Sequence, residues 1–328
     1  MLSRHFLRAK ALQTLYAATV NSINTREEVE KNFDINVSRL NSLGLFQLST
    51  LSQLAFTAER IMEMESQKFN PQESDIKMLQ RFADNRLIKA LDESFEYKQL
   101  IQKTHIDWSD NFDVFRKVTN TLKSSHQYAD YMKIECPTFN DDKDIAVVAF
   151  KYLMNEDNLR DIIFDHDLLW EDDFDQVAQY VYMMLKELKE EDCNEGMPCP
   201  QVYDRRNEKE LNDYLFAREL AAYTFIHLDD VEPMIRKHLQ NWEFERVALM
   251  DVLLINMAVT EFTHCPSIPE RVTVDEYIEL SKEFSTEKSK LFVNGILDKL
   301  LIELRASGKV VKDERGMYDP EIDNEQQD

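Results

Sequence analysis

Apolar residues recur at three- and four-residue spacing along most of this chain, a period that predicts helices rather than strands. The first helix is expected over 3–20, where Leu7, Ala11 and Leu15 form a seam at i, i+4 and i+8. A second pattern runs from Arg26 to Phe69. It is expected to break near Gly44 and to stop before Pro71, because proline disfavours helical geometry in the residue preceding it. Further helices are predicted around 74–103, 110–125, 141–168 and 173–190. The stretch 191–206, with Pro198 and Pro200, reads as the best linker. Beyond it, helices are expected near 208–227, 229–240, 243–263, 273–284 and 286–305, the first carrying Leu211, Leu215, Leu220 and Phe225. The polar, acidic tail from Lys309 onward is expected to fray. No alternating strand pattern competes, and the fold class is all-α.

Composition sharpens this reading. Only 5 glycines occur in 328 residues, and no phosphate-cradling G-x-G-x-x-G or G-x-x-x-x-G-K-[ST] is present. Nucleotide-binding α/β folds spend glycines at such turns. A formal net charge of −23 excludes a surface that is basic throughout, so any nucleic-acid site must be a local cationic patch on an acidic body. Cys136, Cys193, Cys199 and Cys265 form no pair at zinc-ligand spacing, and reduced thiols are expected. Neither a metal nor a cofactor is implied. The first twenty residues lack an apolar signal core, although their acid-free, arginine-bearing character is also compatible with an organelle presequence. No apolar run of about 18 residues suggests a membrane span. Acid pairs such as Asp172 and Asp173 read as exposed acidic turns.

Two segments stand out chemically. From Met1 to Arg26 the chain has no Asp or Glu, against 62 in all. Arg4 and Arg8 lie one helical turn apart, with His5 and Lys10 beside them. The second segment spans 273–298, an amphipathic helix, a turn near Ser285 and Thr286, and another helix. Lys288 and Phe292 form an i, i+4 pair there, a cation beside a ring, which is how single-stranded RNA is gripped when charge meets phosphate and a ring meets a base. The bland alternative puts Phe292 in the core. Trp108 before Ser-Asp-Asn-Phe-Asp and Trp170 before Glu-Asp-Asp-Phe-Asp form a weak internal echo, better explained by tryptophan anchoring helix packing than by duplication.

Ser289, Phe292, Val293, Asn294, Gly295, Ile296, Leu297 and Asp298 complete an S-x-x-F-V-N-G-(V/I)-L-D pattern. Val274, Asp275, Glu276, Ile278, Glu279, Leu280, Ser281, Lys282 and Phe284 follow the stretch that precedes it. These residues resemble the signature of the NusB transcription antitermination family, with Asp275 for the usual Asn and Ser281 for the usual Ala. The run from Arg4 to Tyr16, ending Ala-Leu-Gln-Thr-Leu-Tyr, is similar to that family's arginine-rich first helix, with His5 and Phe6 where arginine is common. Trp242 to Asp251 and Thr260-Glu-Phe are similar to the start and end of a further family helix.

The resemblance implies a NusB-like helical bundle interrupted by an all-helical insertion domain. Its first helix would occupy 1–20, the insertion 21–207 and the rest of the bundle 208–305, followed by a flexible acidic tail over 306–328. It also implies a cytoplasmic, non-enzymatic factor that binds boxA-type single-stranded RNA with the ribosomal protein NusE, within the RNA polymerase antitermination complex. Arg4, Arg8 and Lys10 would then hold phosphates, Phe292 would stack on a base, and Lys288 and Ser289 would sit beside the RNA. Tyr16, Asp251 and Glu261 would lie nearer the NusE surface. An RNA methyltransferase, whose front can carry a NusB-like domain, would need a nucleotide-binding domain that does not appear after residue 305. The stronger alternative is a helical protein-interaction scaffold with weak or no RNA binding.

Overall fold

The computed structural model describes residues 3–195, 197–201, 207–239 and 244–317. Among the described residues it contains helices and short 3-10 turns but no strand. The chain divides into two compact units, Met1–Val37 with Tyr203–Asp328, and Ser38–Val202.

In the first unit, α1 (Arg4–Val20) starts at Ser3, whose side chain accepts from the Phe6 amide and caps one of the helix's orphan donors. Helix α2 (Arg26–Ser66) begins in this unit and continues into the second. Residues 21–37, expected from the resemblance to belong to the insertion, join the first unit. Asn36 donates to the Thr14 hydroxyl at 2.9 Å, and Arg218 pairs with Glu30 and Asp34.

The second unit continues with α3 (Glu73–Ala83), α4 (Arg86–Glu93), α5 (Phe95–Thr104), α6 (Phe112–Lys123), α7 (His126–Lys133), α8 (Phe139–Met154), α9 (Asp157–His166), α10 (Phe174–Glu187) and α11 (Glu190–Glu195). Three expected breaks and continuities change here. No break occurs at Gly44, which sits inside α2. A Cβ at that position would lie 2.8 Å from the Pro200 side chain, so the glycine serves close packing within the unit. The long helix expected over 74–103 is instead three short ones, because Asn85 and Ser94 each accept backbone amides as caps. The one expected over 141–168 is divided at Asn155 and Glu156. Trp108 and Trp170 both pack on Phe46, with ring centroids 5.8 and 5.0 Å away, in keeping with tryptophan as a packing anchor.

The first unit resumes with α12 (Glu208–Ile226), α13 (Leu228–His238), α14 (Leu249–His264), α15 (Glu270–Phe284) and α16 (Ser289–Ala306). Helix α1 packs on α12, α14 and α15; α16 packs on α13, α14 and α15. Helix α14 is their common support, with Leu253, Leu254, Ile255, Met257, Ala258 and Phe262 all buried. The expected helix over 243–263 starts later, at Leu249, after a short turn at Phe244–Arg246. Trp242 lies outside the described residues.

The stretch after α16 does not fray over 309–317. Lys312 donates to the Cys265 carbonyl at 3.0 Å, and the Asp313 amide donates to the Pro266 carbonyl at 3.2 Å. A Cβ at Gly316 would lie 1.9 Å from that same Pro266 oxygen, so only glycine permits the approach. Residues 318–328 lie outside the described residues.

Candidate nucleic-acid interface

An acid in the middle of an apolar helix must find a partner or lose its charge, since burying an unpaired carboxylate is very costly. Glu261 on α14 is in that position, fully buried. Arg8 meets it with two hydrogen bonds of 2.8 Å, a bidentate pair in which the planar guanidinium matches the carboxylate. Thr273 and Tyr277, one turn apart on α15, donate to the same carboxylate at 2.9 and 3.2 Å. Burial alone would lower the Arg8 pKa, but Glu261 more than offsets it and the net shift is upward. Burial, with the Glu261 charge, raises the Tyr277 phenol well above its ordinary value. Arg8, 2% exposed, therefore belongs to the interior and is not available to a phosphate.

The other cations of α1 are engaged in different ways. Arg4 donates through Nε to Asp213 at 2.6 Å and lies 5.1 Å from the Phe216 ring centre, while its side chain stays 38% exposed. His5 bridges Glu276 at 2.8 Å and Glu283 at 3.0 Å. Lys10 is buried, donates to Gln13 at 2.7 Å and lies over the Phe6 ring. It too leaves the RNA-contact set expected from sequence. The acid-free helix thus carries its positive charge mainly into carboxylates of neighbouring helices.

The start of α16 is built by a different device. Asp251, in the first turn of α14, accepts from Ser285 at 2.6 Å and from Ser289 at 2.9 Å. Ser289 also accepts the Thr286 amide at 3.3 Å. One buried carboxylate therefore fixes the α15–α16 turn. Ser289 and Asp251 are clasp residues in the interior, not RNA-facing and partner-facing as expected from the resemblance, and Glu261 likewise leaves the partner-facing set. What the clasp presents is open: Lys288 and Lys290 are exposed, Leu291 is 73% exposed, and Phe292 is half-buried. Among the described residues neither lysine has a carboxylate partner. Tyr16, expected on the partner side, is exposed.

The structure therefore does not join Arg8 to Phe292 in one surface. It brings α1 and α16 onto the same two supporting helices, with Arg4 toward α12 and Lys288 and Phe292 at the far end of the α15–α16 turn. Two signals for the missed interior network were present in sequence. Glu261 interrupts an apolar run, and Thr273 and Tyr277 have the i, i+4 spacing needed to reach one buried group. Lys290 lies outside the i, i+4 relation that singles out Lys288 and Phe292, so spacing alone does not reveal it.

Fold and clasp together define an all-helical bundle whose recognisable signature sits at one inter-helix turn. The profile of the NusB family matches residues 171–301. The chain is similar to the transcription antitermination protein NusB of Myxococcus xanthus (strain DK1622), 33% identical over 101 residues, covering 31% of this chain and 72% of that protein. It is 39% identical over 102 residues to its namesake from Salinibacter ruber (strain DSM 13855 / M31), covering 31% of this chain and 64% of the relative. With that of Chloroherpeton thalassium (strain ATCC 35110 / GB-78) it shares 32% over 140 residues, 43% of this chain and 64% of the relative. The chain belongs to the NusB family. It spans a little under two thirds of the length of the Salinibacter and Chloroherpeton relatives. No solved structure matches it. Among the described residues, no helix is long and apolar enough to cross a membrane.

Proposed function

We propose that the protein acts in transcription as an antitermination factor, binding boxA-type single-stranded RNA together with NusE in the polymerase-associated complex, in the cytoplasm. One observation carries this reading: the segment with the family's signature leaves two lysines with no carboxylate partner among the described residues, and a half-buried phenyl ring, on a turn locked by Asp251. Lys288, with Lys290 beside it, attracts phosphate, Phe292 stacks with a base, and Arg4 adds a second cationic point through its exposed guanidinium end. Tyr16 faces NusE. The work is assembly rather than catalysis. The first unit is the NusB-like part, and Ser38–Val202 is the insertion.

A scaffold without RNA binding is favoured by a different observation, the pairing of Arg4, His5 and Arg8 with carboxylates. Equilibrium titration of labelled boxA-type RNA across a salt series, with and without NusE, separates the two. Binding should weaken with salt, and Lys288→Ala with Lys290→Ala should flatten the slope by about 0.7 for each phosphate the lysines had neutralised. Absence of binding in both arms, or a slope untouched by the double substitution, would leave the scaffold.

A further inference from the structure

Within the second unit, the turn between α9 and α10 combines apolar exposure with charge of one sign. Residues 161–175 hold seven carboxylates and neither lysine nor arginine. In their midst stand two adjacent leucines, Leu168 with 75% and Leu169 with 59% of its surface exposed. Both belong to a 3-10 turn, Leu168–Trp170. With three residues per turn, side chains leave about 120° apart, so a turn that buries Trp170 sends Leu168 and Leu169 outward.

The turn is braced from beneath. Trp170 packs 5.0 Å from Phe46, and His166 completes a three-ring cluster, 4.4 Å from Phe46 and stacked on Trp170 at 5.3 Å. Asp167 accepts the Leu169 amide on its side chain and the Trp170 amide on its carbonyl, both at 3.0 Å. Gln47 of α2 donates to the Phe174 carbonyl at 2.9 Å and fixes the entry to α10. Single exposed apolar residues are ordinary on a protein surface; here two neighbours are held in place on a rigid tip. Around them Asp161, Asp165, Glu171 and Asp172 are exposed and have no cation partner among the described residues. Asp175 does have one, Arg160 at 3.1 Å. Asp173, expected to be exposed with Asp172, is buried instead.

We propose that this tip is a docking site for a cationic amphipathic helix of a partner protein, whose apolar stripe receives Leu168 and Leu169 while its lysines or arginines meet the surrounding carboxylates. Charge complementarity selects that occupant. A phosphate-bearing surface, nucleic acid or membrane, is repelled by these acids. A purely apolar partner would strip water from carboxylates without pairing them, which is costly. A cationic helix gains from both parts of the tip, and the braced turn keeps the ordering cost of binding low. The inference gives Ser38–Val202 a role of its own and does not rest on the RNA reading.

The test uses the full chain and a labelled synthetic helix with leucine at i, i+3, i+4 and i+7 and lysine elsewhere, followed by fluorescence anisotropy. Two companion probes separate the contributions: the same helix with glutamine for lysine, and oligolysine of equal length. The leucine–lysine helix should bind saturably and more weakly as salt rises, and both companions should bind far more weakly. Leu168→Ser with Leu169→Ser should weaken binding about tenfold for each leucine, the worth of burying one such side chain. Asp165→Asn, Glu171→Gln and Asp172→Asn together should weaken it and flatten the salt dependence. The same number of charges removed at Glu187, Glu190 and Glu191, about 20 Å away at the other end of α10, should leave it within about twofold. No saturation, equal binding of oligolysine or of the uncharged helix, or equal losses from the two charge sets would overturn the proposal. So would a dimer in sedimentation that the leucine substitutions dissolve, since a second copy would then be the occupant. If the leucine variant proves unfolded, the two charge sets and the three probes decide.

Discussion

The two cationic regions of the first unit make opposite use of similar side chains. On α1, the most prominent positive stretch in the sequence, Arg8 is sealed against Glu261, and His5 lies between two glutamates. At the start of α16, where a lysine-bearing turn attracts less notice, Lys288 and Lys290 stand in solvent with no partner among the described residues. A run of basic residues reports the total charge of a segment, but which charges can meet a ligand depends on the carboxylates that tertiary packing brings near. In an acidic chain that difference decides the site.

The contrast can be broken or sharpened experimentally. The largest effect should come from Arg8→Ala, which leaves Glu261 buried without its counter-ion. Loss of one member of a buried pair costs about 3–5 kcal/mol, to be read as a lower midpoint in urea unfolding. A shift within measurement error would mean that α1 is not an internal strut. Phe292→Ala should do the reverse, costing about 1–3 kcal/mol in RNA affinity if a base stacks there, with only a minor change in stability. Loss of stability with intact RNA affinity would move Phe292 into the core. Next comes Gly295→Ala on α16, where an added Cβ would meet nothing within 4 Å. Relieving a mid-helix glycine should stabilise the protein by up to about 1 kcal/mol, raising the thermal midpoint; a drop would show that the face is not open.

The smallest effect concerns His5. Burial would lower its pKa, but hydrogen bonds to Glu276 and Glu283 more than compensate, and the net shift is upward. A histidine whose folded value is raised contributes stability fully below its unfolded value and loses it as pH climbs through the folded one. The wild-type advantage over His5→Ala in unfolding midpoint should therefore be greatest in mildly acidic solution and fade toward alkaline pH. An advantage that grew with pH would contradict the double glutamate contact.

The helical periodicity made the all-α class legible, and the residues of α16 carried the family signature. Legibility ended where tertiary packing overrides local rules. Gly44 looks like a helix breaker, but the side chain of Pro200, distant in sequence, requires the missing Cβ there. Asn85 and Ser94 are ordinary polar residues until their backbone geometry makes them caps. The family motif points Arg8 and Ser289 to an RNA surface, although a motif is retained equally well by a residue that holds the bundle together. The distinction needs Glu261 and Asp251 placed opposite them, and no local pattern gives that placement. Lys288 and Tyr16, by contrast, are exposed.

The return of 309–317 onto the α14–α15 turn has a practical consequence for any shortened version of this protein. Cutting after Ala306, where the last helix ends and the acidic sequence invites trimming, would remove the donors that Lys312 and the Asp313 amide supply to the carbonyls of Cys265 and Pro266. Those two peptide groups lie in the turn between α14 and α15, so a truncation intended to tidy the terminus would leave both carbonyls without these donors.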